Sequence, residues 1–158
     1  MSELQVRIRL DDDESLAAAL EVAEANGASA ETVAVEGGGG LEAQFAPVAA
    51  VLIGAAVVTT VKVVMEWWEK VRGGLVIDQR EGVADTIHRD RDVPYGFVVI
   101  FPPDGGTVKV EVKDAPKDAL NYWISEVISG AFKTVSDLAK AAKDLAGDGK
   151  VEAKPAAG

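Results

Sequence analysis

Leu4, Val6, Ile8 and Leu10 alternate with Gln5, Arg7 and Arg9, the period of two that gives a strand one buried face. Asp11-Asp12-Asp13-Glu14-Ser15 follows, and acids suit the start of a helix because they accept from its free amides and face the positive end of its dipole. Leu16, Ala19, Leu20 and Ala23 then recur at helical spacing until Asn26-Gly27, which predicts a helix over about 13–26. Val33 and Val35, flanked by Thr32, Ala34 and Glu36, predict a short strand over 31–36. Residues 1–36 thus read as a β-α-β unit, and Gly37–Gly40 as a hinge.

From Leu41 to Arg72 the pattern predicts one long apolar helix, with Pro47 near its start, where a missing amide costs least. Residues 73–113 predict three strands: Leu75-Val76-Ile77, then a polar loop over 80–94, then a hairpin. Its arms are Phe97–Phe101 and Thr107–Val112, and Pro102-Pro103-Asp104-Gly105-Gly106 is the turn between them. Over 114–146 an apolar stripe from Leu120 through Ile124, Val127 and Val135 to Leu145 predicts one amphipathic helix opened by Pro116. Small, polar and Pro residues make 147–158 a disordered tail. The fold class expected is α+β, a short mixed sheet with flanking helices and one long uncharged central helix, a candidate single membrane span.

The chain has 158 residues, about one domain's worth, and 48% hydrophobic against 27% charged residues marks a folded protein. Its net charge of −10 repels phosphate backbones, so nucleic acid is excluded as a partner. Ten acids against Arg7 and Arg9 place most of that charge in residues 1–42. With no Cys and a single His88, disulfides, thiolate sites and most nucleophilic chemistry are absent.

The charge map sharpens the central segment. Residues 43–61 hold no ionisable side chain, and Phe45 to Met65 is long enough as a helix to cross a hydrocarbon layer of roughly 30 Å. Trp67 and Trp68 follow, then Lys70 and Arg72, the order of an interfacial aromatic belt and its anchoring charges. Lys62 can snorkel from the end of the span. With no Lys or Arg within about fifteen residues on the N-terminal side, and Lys62, Lys70 and Arg72 toward the other end, an inserted helix would place its C-terminus in the cytoplasm, a single pass through a bacterial inner membrane. Ala46, Ala50 and Gly54 form a small-residue ladder, with Val57, Val58 and Val61 on the same segment, which suits close helix approach in lipid or between subunits. The alternatives are a helix buried between copies of a cytoplasmic protein, or the centre of a single molecule. So short a chain has few elements with which to wrap five turns. Residues 1–30 are acidic and lack an apolar stretch, so no cleavable leader is expected.

Candidate chemistry is sparse. His88-Arg89-Asp90 matches the start of a kinase catalytic loop, but the downstream Asn, the Asp-Phe-Gly and the Gly-rich loop are missing. Asp11-Asp12-Asp13-Glu14 lacks the alternate ligand spacing of a calcium loop, and Gly37–Gly40 is not followed by the Lys-Ser/Thr of a phosphate cradle. No Ser sits in a nucleophile elbow. Trp67, Trp68 and Trp123 read as packing or interfacial groups before ligand platforms. No catalytic residue, cofactor or metal is expected; an enzyme built on Asp78, His88 or Asp90 is the minor alternative.

The stretches Gly73-Gly74-Leu75-Val76-Ile77-Asp78, Arg89-Asp90-Arg91-Asp92-Val93-Pro94-Tyr95-Gly96-Phe97-Val98-Val99 and Pro103-Asp104-Gly105-Gly106-Thr107 resemble small actinobacterial proteins of the effector-associated constant component type. The opening strand and the small-residue helix ending in Trp resemble them too. The resemblance implies a non-catalytic adaptor found in bacterial conflict and signalling systems, beside or fused to effector enzymes, and it brings no catalytic residues. The functional expectation is therefore a non-enzymatic interaction module, anchored in a bilayer or assembled through residues 45–65, with protein partners and self-association. Its alternative is a self-assembling structural protein that uses this helix as the subunit contact.

Overall fold

The alternation at the start of the chain becomes β1 (Glu3–Arg9) in a computed structural model, which describes residues 3–10, 12–33, 50–82 and 86–155. Helix α1 (Asp13–Ala25) follows, capped by Asp12, whose Oδ1 accepts from the Ser15 amide at 2.7 Å. Then come β2 (Ser29–Val33), β3 (Ala50–Ala56) and α2 (Val57–Val71). The second half runs β4 (Gly74–Asp78), β5 (Ile87–Asp90), β6 (Phe97–Phe101), β7 (Thr107–Glu111), α3 (Lys117–Ile128), α4 (Val135–Ala146) and β8 (Val151–Lys154).

The eight strands form one mixed sheet in the order β2-β3-β1-β5-β4-β6-β7-β8. Antiparallel β3 lies between β1 and β2, so β1-α1-β2 is a split β-α-β unit. The two halves of the sheet meet where β1 runs parallel to β5, among the described residues in two register pairs, Ile8↔Ile87 and Arg9↔His88. Val6 and Ile8, Val51 and Ile53, Leu75 and Ile77, Val98 and Ile100, and Val108 and Val110 point to one face, where they join the apolar sides of all four helices in a single core. The fold is thus α+β, a mixed eight-stranded sheet with helices packed on it.

The long central helix expected over 41–72 is not what forms. Residues 50–56 are strand β3, and the helix begins only at Val57. The physical reason is pairing along both edges, with one face in the core and the other half-buried. Strand β3 is hydrogen-bonded on each side, Val51 and Ile53 are fully buried in the core, and Ala50 on the other face is buried as well. Such a strand reads as a continuous apolar run, which periodicity cannot tell from a buried helix. At 15 residues, α2 is about 22 Å long, short of the roughly 30 Å hydrocarbon layer. No helix among the described residues is long and apolar enough to cross a membrane. The expected bilayer span, its inner-membrane placement with the C-terminus inside, and lipid as a partner are corrected accordingly. Ala46 and the Gly37–Gly40 hinge lie outside the described residues.

Three further differences are local. His88-Arg89-Asp90, placed by its charges in a loop, belongs to β5, because Ile87 is fully buried and the backbone is paired on both sides. The stripe over 114–146 forms two helices, separated where Gly130 takes a φ of +84° and Thr134 caps α4 by accepting from the Asp137 amide at 3.1 Å. Residues Val151–Lys154 of the expected tail form β8, antiparallel to β7.

Candidate docking cleft

Helix α2 is amphipathic in a way that sorts the residues singled out by the sequence. Thr60, Val61, Val63, Val64, Trp67 and Trp68 are buried, while Val58, Lys62, Glu69 and Lys70 are exposed. The helix has no side-chain N-cap. Instead the Thr60 hydroxyl, fully buried, is shared between the carbonyls of Leu4 and Ala55 at 3.1 and 3.2 Å, which ties the first turn to β1 and β3.

Trp67 and Trp68 sit in the core rather than at an interface with lipid. The Trp67 indole donates to the Ser15 carbonyl at 3.1 Å and the Trp68 indole to the Gly73 carbonyl at 2.8 Å. Lys70 pairs with Glu21 on α1 at 3.8 Å, and the Arg72 guanidinium lies 4.4 Å above the Tyr95 ring. Ala50 and Gly54 are on β3, Val57 and Val58 on the first turn of α2, and Val61 on its buried side.

Beside this helix runs α3, and between them opens a cleft of about 850 Å³. Val61, Met65 and Trp68 from α2 line it with Val112 and Leu120 from the other half. Tyr95 and Gly96 close one end, the Tyr95 ring resting 5.0 Å from Trp68 at 48°. Gly96 has a φ of +103°, and a Cβ there would stand 2.4 Å from the Lys113 side chain, so only glycine lets that chain pass. On the lips stand the two large hydrophobic side chains left in water among the described residues, Val58 on α2 at 80% exposure and Tyr122 on α3 at 68%. Around them are Lys62, Glu66, Glu69, Lys113 and Lys117. Apolar walls, two exposed hydrophobes and a rim of mixed charge suit the packing of another polypeptide's helix. Sequence reasoning marked Val58 and Val61 but missed Tyr122, which at helical spacing looks like one more member of a mixed stripe.

The titratable residues weighed for catalysis do not converge. Asp90 is opposite Gly74 at one end of β4, His88 is opposite Val76 in its middle, and Asp78 lies at the other end, about 13 Å from the first at strand spacing. Asp78 is buried. Burial alone would raise its carboxyl, but hydrogen bonds from Arg80, with the charges of Arg80 and His88, outweigh that and hold it below the usual carboxylate range. Arg80 in turn covers Phe101 at 4.6 Å.

Asp12, from the acidic run, caps α1 and also accepts from Arg89 and Arg91. Arg89 reaches further, to the Val71 carbonyl at 2.6 Å and the Ser15 hydroxyl at 3.0 Å. Its charge thereby meets the C-terminal end of α2 while Asp12 meets the N-terminal end of α1. These side chains are explained by the fold they hold. No protein family, curated protein or solved structure matches this chain.

Proposed function

We propose that the chain is a non-catalytic interaction domain that binds a second copy of itself through the cleft between α2 and α3. The observation that carries this reading is the pair of exposed hydrophobes, Val58 and Tyr122, flanking a cleft already lined by apolar side chains. Charge supports a second copy as the occupant. Each chain carries −10, so two copies repel over most approaches. The rim of the cleft, with three lysines and two glutamates, is near neutral, and here two faces meet without that opposition. The contact falls on the helix that the sequence marks for assembly, though on its amphipathic part, 57–71, rather than on an uncharged span. The resemblance to effector-associated constant components adds a role: a domain that pairs with itself would supply an adaptor with two binding arms.

Sedimentation equilibrium over a wide concentration range tests the proposal. The chain is expected to dimerise, and Val58→Asp or Tyr122→Asp to weaken the dimer by about tenfold or more, since each puts a charge into the desolvated contact. A chain that stays monomeric at every concentration would overturn it.

A further inference from the structure

We infer that the two copies meet about a two-fold axis with their α2 helices antiparallel, so that Lys62 of each faces Glu66 and Glu69 of the other. This inference rests on the self-association proposed above and specifies its geometry.

Val58, Lys62, Met65 with Glu66, and Glu69 follow one another at steps of three and four residues along α2. They therefore form one stripe, and all of them line the cleft. Along it the sign runs from positive to negative in the chain direction. A helix gains from the opposite order, acids near its N-terminus and bases near its C-terminus. A Lys placed four residues before a Glu is likewise the weaker orientation of that pair. Stability of α2 itself thus does not account for the order. Neither do contacts within the chain: among the described residues Lys62 and Glu69 have no ion-pair partner, and Glu66 accepts only the Asn26 amide at 3.1 Å.

A second α2 laid antiparallel accounts for it. Each Lys62 then falls between Glu66 and Glu69 of the other copy, once on each side of the axis. The two Glu66 beside the axis are each offset by the lysine facing them, whereas parallel helices would set Lys62 against Lys62 and both glutamates against their own copies. The axis falls near Met65, an unbranched, half-buried side chain that can adapt to its own copy. The exposed Val58 of each copy then reaches the other's Tyr95 end of the cleft. A contact that uses the same patch on both copies closes on itself, so the product is a dimer and not a fibre.

Light scattering after size exclusion on the full chain and its charge variants tests this. Lys62→Glu is expected to raise the dimer dissociation constant about tenfold or more, and so is Glu69→Lys alone or with Glu66→Lys. The triple inversion Lys62→Glu, Glu66→Lys, Glu69→Lys restores opposite signs across the axis and is expected to dimerise like the parent. An equimolar mixture of Lys62→Glu with the Glu66→Lys, Glu69→Lys double variant is expected to give heterodimers in preference to either weakened homodimer. Far-ultraviolet circular dichroism confirms that each variant is folded, and Glu69→Lys, which leaves the Asn26 contact intact, stands in if the others are not. If Val58→Asp dissolves the dimer while the charge variants dimerise as the parent does, docking at the cleft survives and the antiparallel order is overturned. If the parent itself is monomeric, both fall.

Discussion

Trp67 and Trp123 are both buried indoles that differ in one bond. The Trp67 N–H reaches the Ser15 carbonyl, whereas the Trp123 N–H is buried with no partner among the described residues. Replacement by Phe costs each site some volume, but only at Trp67 does it also break a hydrogen bond, the second one accepted by a carbonyl already inside α1. Trp67→Phe is therefore expected to destabilise more than Trp123→Phe, by about 1 kcal/mol, in urea unfolding; equal losses would mean the bond contributes nothing. Arg89 presents a larger case, because its side chain is only 10% exposed and it serves Asp12, Ser15 and Val71 together. Arg89→Met leaves a helix-end carbonyl and a carboxylate short of a donor, and a loss of about 3 kcal/mol is expected by the same measurement. None of this was legible from residue order. Two tryptophans followed by Lys and Arg look the same at a lipid interface and at the end of a core-facing helix, and only the helical phase that turns both Trp67 and Trp68 inward decides between them.

Among the elements, β1, α1 and the β6–β7 hairpin follow local rules that the sequence states openly: alternation, an acidic cap and paired glycines at a turn. Strand β3 does not, because its sides are filled by strands distant in sequence, and Ala50 and Gly54 give no β signal of their own. Strand β5 is hidden for the opposite reason, since a single buried Ile87 carries its inward face. The break between α3 and α4 was readable in Gly130 and in the cap formed by Thr134, but the continuing apolar stripe masks it. Thr134→Ala should remove that cap and cost about 1 kcal/mol, seen as a lower urea midpoint, with amides at the start of α4 exchanging faster. Unchanged exchange at Val135–Leu138 would count against the cap. The Asp104 carboxylate, which accepts from the Val135 amide at 3.0 Å, limits the effect, because it goes on holding that first amide while the Asp137 amide is freed.

At the scale of the whole molecule, acid acts through carboxylates that the fold keeps charged. Asp78 sits below its ordinary value of 3.8 because of Arg80 and His88, and Glu111 below 4.5 because of the Lys150 ammonium at 2.7 Å. Both are more acidic folded than unfolded, so their contribution is complete above those ordinary values and fades as pH falls through the lower folded ones. Urea midpoints are expected to hold steady above about pH 5 and to decline below about pH 4, with a shallower decline in Asp78→Asn. A midpoint that is flat down to the acid limit would remove both pairs from the account. The candidate cleft was the least legible part of all, because it belongs to no segment: one wall follows β3 in the chain and the other follows β7, and only the finished sheet brings them together.

The two-rung junction between β1 and β5 gives that cleft a mechanical meaning. Pulled apart, the sheet would tear first where so few amides hold it. Helix α2 packs on β1 and β3, on one side of this fault line, while α3 follows β7 in the chain, on the other. Whatever fills the space between them acts as a splint across the fracture, so pairing of two chains should make each of them harder to split.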